Sequence, residues 1–270
     1  MRIGISSYTY SWAVGVPGDP PPEPMTAADL LRQASELGVA VLQIADNLPL
    51  HALPEHELAA LRGQADALGI SIELGVRGIA PTYLRSYLRL AQDFGSSLLR
   101  VVVDSPGHSP DAAEVVGVLK QMMPEFERAG VVLAIENHDR FRAQVLANLI
   151  HQVGSANLGV CLDTVNSFGA LEGPEVVLDT LGPLVVNVHV KDFAVVRASH
   201  QMGFIIEGRP AGEGQLNVPW LLGRLARYGR SPNLILEQWT PPEATVAETV
   251  AKERAWARLS IGYLRSCLGA

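Results

Sequence analysis

In the stretch VVNVHVKDF, residues 185 to 193, Asn187, His189 and Lys191 recur at every second position, with valines between them. Alternate side chains of a strand share a face, so these three point one way while Val186, Val188 and Val190 point the other. Three other apolar runs finish in the same manner. AIENHD ends with Glu136 and His138 on one parity, CLDTVN carries Asp163 on the parity of Cys161, and LILEQW ends in Glu237 and Trp239. Three carboxylates brought together beside one imidazole repel one another unless a cation holds them. Glu136, Asp163, His189 and Glu237 therefore read as ligands of one divalent ion. The donor set suits Mn2+, Mg2+, Co2+ or Zn2+, and without thiolates it is not a structural zinc site. Such an ion stabilises the enediolate left when a proton next to a carbonyl is removed, and two glutamates beside it can take and return protons.

The side chains converge only if their strands are neighbours. Eight β-branched runs begin at Arg2, Val41, Ile70, Leu98, Val131, Leu158, Val185 and Leu234, with amphipathic stretches such as TAADLLRQASEL and DAAEVVGVLKQMMPEFERAG between them. Gly38, Gly69, Gly95 and Gly130 mark left-handed helix stops. Alternation of this kind predicts a parallel sheet. Eight units in 270 residues, with no linker, match a single-domain α/β fold, the (β/α)8 TIM barrel, over residues 1–270. An open doubly wound sheet is the alternative, but no GxGxxG turn follows the first strand. At a barrel mouth the strand C-termini converge, which would place the four ligands at matching depth. Residues 7–25 and 193–217 are too long for simple connections and are expected to be lids over that mouth, since Tyr8, Tyr10, Trp12, Met202 and Phe204 gain little from exposure.

A net charge of −7 with no basic run argues against nucleic acid or an anionic membrane as partner. The two cysteines, Cys161 and Cys267, form no disulfide framework, and no apolar run is long enough to span a bilayer. The chain reads as a soluble, cytoplasmic protein acting on a small molecule, with homo-oligomerisation left open.

IENHD, LDTVN, HVKDF, GEG and LEQW resemble, in order and spacing, the xylose isomerase-like TIM-barrel superfamily of sugar isomerases and epimerases. CLDTVNSFGALEG and MGFIIEGRPAGEG look most like a branch that includes 3-oxo-isoapionate decarboxylase. The resemblance implies that Glu136, Asp163, His189 and Glu237 are metal ligands, with Glu136 and Glu237 also the opposed acid/base pair. It implies a metal-dependent isomerase or epimerase of a keto sugar or sugar acid, with a decarboxylase or dehydratase on the same site as the alternative. Ketose epimerases commonly carry a histidine three residues after the aspartate ligand, where this chain has Asn166, and that departure counts against 3-epimerisation.

Supporting residues follow. Lys191 is a catalytic acid or a ligand for a substrate oxygen, unless it pairs with Asp192 or Glu136. Arg209 could clamp an anion through its fork of donors. His138 and Asn166 touch substrate or prop the ligands. Trp12 and Trp239 form an apolar wall or pack beneath the lids. His108 is a further pocket candidate. Glu213 is expected to anchor its loop.

Overall fold

The computed structural model describes residues 1–269. Eight parallel strands close into a barrel: β1 (Ile3–Ser6), β2 (Val41–Ile44), β3 (Ser71–Arg77), β4 (Leu98–Val102), β5 (Val132–Glu136), β6 (Leu158–Asp163), β7 (Val185–Val190) and β10 (Asn233–Leu236). The order around the barrel is β1-β10-β7-β6-β5-β4-β3-β2, so the first and last strands pair and no edge remains. All eight expected runs are strands. The α-helices in chain order are α1 (Ser11–Val14), α2 (Ala27–Glu36), α3 (Glu55–Leu68), α4 (Pro81–Asp93), α5 (Ala112–Ala129), α6 (Ala143–Val153), α7 (Pro174–Leu181), α8 (Val218–Arg227) and α9 (Val246–Leu268). None is long and apolar enough to cross a membrane.

Local chemistry sets the helix ends. Thr26, Asp111 and Thr245 accept from backbone N–H groups of the first turns of α2, α5 and α9. Gly38, Gly69, Gly95 and Gly130 all have positive φ, 62° to 67°, as expected of helix stops. Outward strand residues such as Ile72, Leu74, Val188 and Val190 bury against helix residues such as Leu30, Leu84, Phe126 and Leu225 in one apolar layer. Removing that area from water, at about 25 cal/mol per Å2, is what drives strands and helices together.

Three expectations change. Val186 does not join Val188 and Val190: a bulge in the β6–β7 pairing, between Val160 and Cys161, leaves it as the extra residue, and it packs on Leu98, Ala134 and Cys161. Most of the second long connection is not a loop but an antiparallel hairpin, β8 (Asp192–Arg197) and β9 (Phe204–Arg209). Met202 and Phe204 stay exposed on it, whereas Tyr10 of the first connection is buried in the core. The hairpin's base is held by Asp192, which accepts from the N–H groups of Gly212, Gly214 and Leu216. A Cβ on Gly214 would lie 2.1 Å from Asp192 Oδ1, so GEG needs its second glycine for that approach. Glu213 is exposed, and the anchoring role expected of it belongs to Asp192.

Candidate active site

Glu136 and Asp163 are the last residues of β5 and β6, His189 is next to last in β7, and Glu237 follows β10 directly. All four are buried at the C-terminal mouth. They are not level in the sheet register: Asp163 pairs with His189, but Glu136 pairs with Cys161, and Ile235, two residues before Glu237, is opposite His189. The tilt of strands in a closed barrel removes the offset. His189 Nδ1 lies 3.4 Å from Glu136 Oε2, 3.4 Å from Glu237 Oε1 and 3.9 Å from Asp163 Oδ2. Two overlapping donor triads share that histidine, Asp163–His189–Glu237 and Glu136–Cys161–His189, each with its ligand atoms within 4.8 Å of one another. Cys161 is a neighbour that strand parity allowed but the ligand reading omitted.

Each member of the quartet has one polar atom tied and another aimed at the centre. Asn166 Nδ2 donates to Glu136 Oε1 at 2.7 Å. The N–H groups of Val165 and Asn166 donate to Asp163 Oδ1, both at 2.9 Å. Ser6 Oγ donates to Glu237 Oε1 at 2.8 Å, and His189 Nε2 is 2.7 Å from Gln43 Oε1. The remaining atoms, Glu136 Oε2, Asp163 Oδ2, His189 Nδ1 and Glu237 Oε2, are buried and make no hydrogen bond. Buried polar atoms are rarely left so. Four such atoms converge here, a grouping that could hold a metal ion, and three of them also face a cationic side chain.

The protein supplies two cations of its own. Arg100, buried in β4, places Nε 2.7 Å from Glu136 Oε2 and Nη1 3.0 Å from Asp46. Lys191 Nζ lies 2.7 Å from Asp163 Oδ2 and 3.0 Å from Glu237 Oε2, so its partners are neither Asp192 nor Glu136. Burial opposes the charges on Arg100 and Lys191, but the surrounding carboxylates outweigh it and hold both above their ordinary values. Burial likewise opposes the charge on Glu237; the His189 ring whenever it is charged, together with Lys191 and Arg100, overcomes it and keeps that carboxyl below the usual range. Asp46, Glu136, Asp163 and Glu237 still outnumber Arg100 and Lys191, which leaves negative charge for a divalent ion to balance.

Other candidates fall elsewhere. Asn166 joins the quartet as a prop. His138 Nδ1 lies 3.0 Å from Asp139, and His108, half exposed, has Nε2 2.9 Å from Glu114 in the first turn of α5, so His108 is engaged at the surface rather than in the pocket. Arg209 is paired with Glu207 two residues before it, which occupies the fork expected to clamp an anion. Trp12 donates from Nε1 to the Thr240 carbonyl, and its backbone N–H goes to Glu253. Trp239 is partly exposed, and the hairpin backbone rests on it: a Cβ on Gly208 would sit 1.7 Å from Trp239 Cδ1. Sequence reasoning missed Ser6, Gln43, Glu73 and Arg100. The available signal was a polar residue on the inward parity of the apolar runs RIGIS, VLQIA, ISIELGV and LLRVVV.

Fold and site together are those of a (β/α)8 barrel with its reactive groups at the C-terminal mouth. The chain belongs to the xylose isomerase-like TIM barrel family, whose model matches residues 31–267. It is 35% identical to a 3-oxo-isoapionate decarboxylase of Pectobacterium atrosepticum, over 98% of this chain and 95% of that one. Among solved structures, D-psicose 3-epimerase with D-tagatose from Clostridium cellulolyticum H10 superposes with a TM-score of 0.74 at 16% identity, covering 99% of both chains. A xylose isomerase-like TIM barrel protein from Mycobacterium smegmatis in complex with magnesium gives 0.68 at 15% identity, covering 96% of each. At those identities the two structures speak for the fold alone.

Proposed function

We propose that this chain is a divalent-metal-dependent decarboxylase of a 3-oxo sugar acid. The observation that carries the metal site is the convergence of four buried donor atoms, each on a side chain fixed through its other polar atom, around which Arg100 and Lys191 supply less positive charge than the carboxylates carry. Glu136, Asp163, His189 and Glu237 would hold the ion, which when bound supplies a Lewis acid for substrate oxygens. The likeness to a 3-oxo-isoapionate decarboxylase along nearly the whole chain supports the reaction class.

In a 3-oxo acid, the bond from carbon 2 to the carboxylate breaks, its electron pair moves into the neighbouring carbonyl as an enolate, and CO2 leaves. Carbon 2 then needs one proton. Lys191 Nζ is the donor: it is cationic, it sits between Asp163 and Glu237, and its side chain is 15% exposed where those two are 0% and 1%, so water at the mouth can reprotonate it. Arg100 and Asn166 hold the Glu136 carboxyl in its orientation. The isomerase or epimerase that the sequence placed first keeps one supporting feature. Glu136 and Glu237 each approach His189 Nδ1 to 3.4 Å from different strands, as a two-base proton exchange requires. Glu237, held below the usual carboxyl range, is a poor base, and the Arg100 guanidinium occupies the Glu136 oxygen that such an exchange would use, which reverses the preference.

The test supplies the protein with Mn2+ and a 3-oxo sugar acid and measures CO2. Release that EDTA abolishes and Mn2+ restores is expected; epimer formed from a keto sugar, with no CO2 from any 3-oxo acid, would overturn the reading. Lys191→Met should lower kcat by about 10²- to 10⁴-fold while tightening Mn2+ binding, because a competing ammonium is gone.

A further inference from the structure

We propose that Glu73 and Gln43 are positioning residues that set the tautomer of His189, turning its Nδ1 lone pair toward the carboxylates. The purpose of this relay rests on the metal reading above; the relay itself does not. Glu73, on β3, is buried and belongs to neither donor triad. Three side-chain amides converge on it: Asn233 Nδ2 donates to Oε1 at 2.7 Å, while Asn187 Nδ2 and Gln43 Nε2 donate to Oε2 at 2.9 and 3.1 Å.

A carboxylate only accepts, so it fixes which way the Gln43 amide faces. The NH2 group turns to Glu73, where it also reaches Asn187 Oδ1 at 3.3 Å, and the carbonyl turns to His189. Gln43 Oε1, 2.7 Å from His189 Nε2, can only accept in turn. Nε2 therefore carries the ring proton, and in a neutral imidazole Nδ1 is left with the lone pair. Nδ1 is the atom facing Glu136, Asp163 and Glu237.

The relay is needed because those carboxylates favour the other tautomer. Left to them, the proton would move to Nδ1, donate to a glutamate and block ligation. Without the charge on Glu73, the Gln43 amide could rotate, present its NH2 group to Nε2 and allow that outcome. A carboxylate on the opposite side of the barrel thus decides whether His189 can be a ligand.

The experiment reads the histidine ring directly, by 15N NMR of the metal-free protein, together with the Mn2+ dissociation constant from calorimetry. Wild type should show the Nε2–H form of His189. Glu73→Gln should shift the population toward Nδ1–H and weaken Mn2+ binding by about 10- to 100-fold, as loss of a partner behind a metal-ligating histidine does. Gln43→Met, which removes the carbonyl outright, should do the same. The exchanged pair, Glu73→Gln with Gln43→Glu, should restore both readouts, because the introduced carboxylate can only accept from Nε2–H. A merely structural Glu73 would not give that rescue. Wild-type tautomer and affinity in Glu73→Gln and Gln43→Met, or no recovery in the exchanged pair, would overturn the proposal. Wild-type protein that binds no Mn2+ would instead remove the metal reading and the purpose of the relay, and the tautomer comparison would still decide the relay itself.

Discussion

The two halves of the barrel mouth carry different chemistry. Strands β5, β6 and β7 and the residue after β10 present Glu136, Asp163, His189 and Glu237, whose inward atoms meet at the centre. Strands β1 to β4 contribute no member of that quartet. They contribute Ser6, Gln43, Glu73 and Arg100, and three of these hold a member of the quartet: Ser6 on Glu237 and Arg100 on Glu136 from the adjoining strand, and Gln43 on His189 from across the interior. The fourth, Glu73, holds Gln43. One half supplies lone pairs and the other fixes where they point. A closed barrel suits this division, because orienting groups can approach from an adjoining strand, as Ser6 and Arg100 do, or from across the interior, as Gln43 does.

Substitutions on the two sides should therefore fail in different ways. The largest effect is expected from Asp163→Ala on the ligand side. It should remove Mn2+ binding and lower the decarboxylation rate by at least about 10³-fold, of the order seen when a group stabilising transition-state charge is lost, while the far-ultraviolet circular dichroism stays that of the wild type. Binding of Mn2+ with wild-type affinity would break the distinction.

On the supporting side, Arg100→Met strands Glu136 and Asp46 as buried or partly buried charges. It should cost about 3–5 kcal/mol of stability in urea unfolding, as removal of one partner of a buried ion pair does. Divalent ion should recover part of that loss, because Glu136 would regain a counter-charge.

A third prediction concerns the first long connection, which is seated beside the supporting half. The backbone N–H groups of Trp12 and Ala13 donate to Glu253 of α9, which is fully buried. Burial pushes that carboxyl up to about 7, against hydrogen bonds that pull it down. A raised carboxyl binds its proton more tightly in the folded chain than in the unfolded one. Its contribution is thus fully present below the ordinary glutamate range, falls as pH rises toward about 7, and levels off above. Glu253→Gln should remove up to about 3 kcal/mol of that decline, read as the difference between variant and wild-type unfolding free energies at pH 5 and pH 8. A constant difference would exclude Glu253 as the titrating group.

The smallest effect is expected from Ser6→Ala. Glu237 loses one charge-assisted hydrogen bond, worth about 1.5–3 kcal/mol, but Lys191 still holds its other oxygen. Activity should fall by about tenfold with the metal still bound. A loss as deep as that of Asp163→Ala would mean that Ser6 belongs with the ligands.

Much of the site was legible because strand parity is a local property. Glu136, Asp163 and Glu237 at strand ends, with His189 and Lys191 on one face, can be read from spacing alone, and each does point into the barrel. The same rule applied to β1–β4 would have found Ser6, Gln43, Glu73 and Arg100; one or two polar residues in an apolar run look like noise until the runs are seen to share an interior. His108 and Arg209 lie beyond any periodic element or at a hairpin's base, where spacing carries no direction, and both are spent on neighbouring carboxylates.

The sequence by itself determined the eightfold alternation, the helix stops and the inward face of each strand, because φ/ψ preferences and side-chain period act within a few residues. Only the tertiary structure decided which oxygen of each carboxylate faces the centre, where Lys191 lies and which nitrogen of His189 turns inward. Those outcomes depend on partners as far apart as Ser6 and Glu237, 231 residues distant along the chain, which meet only because β1 closes against β10.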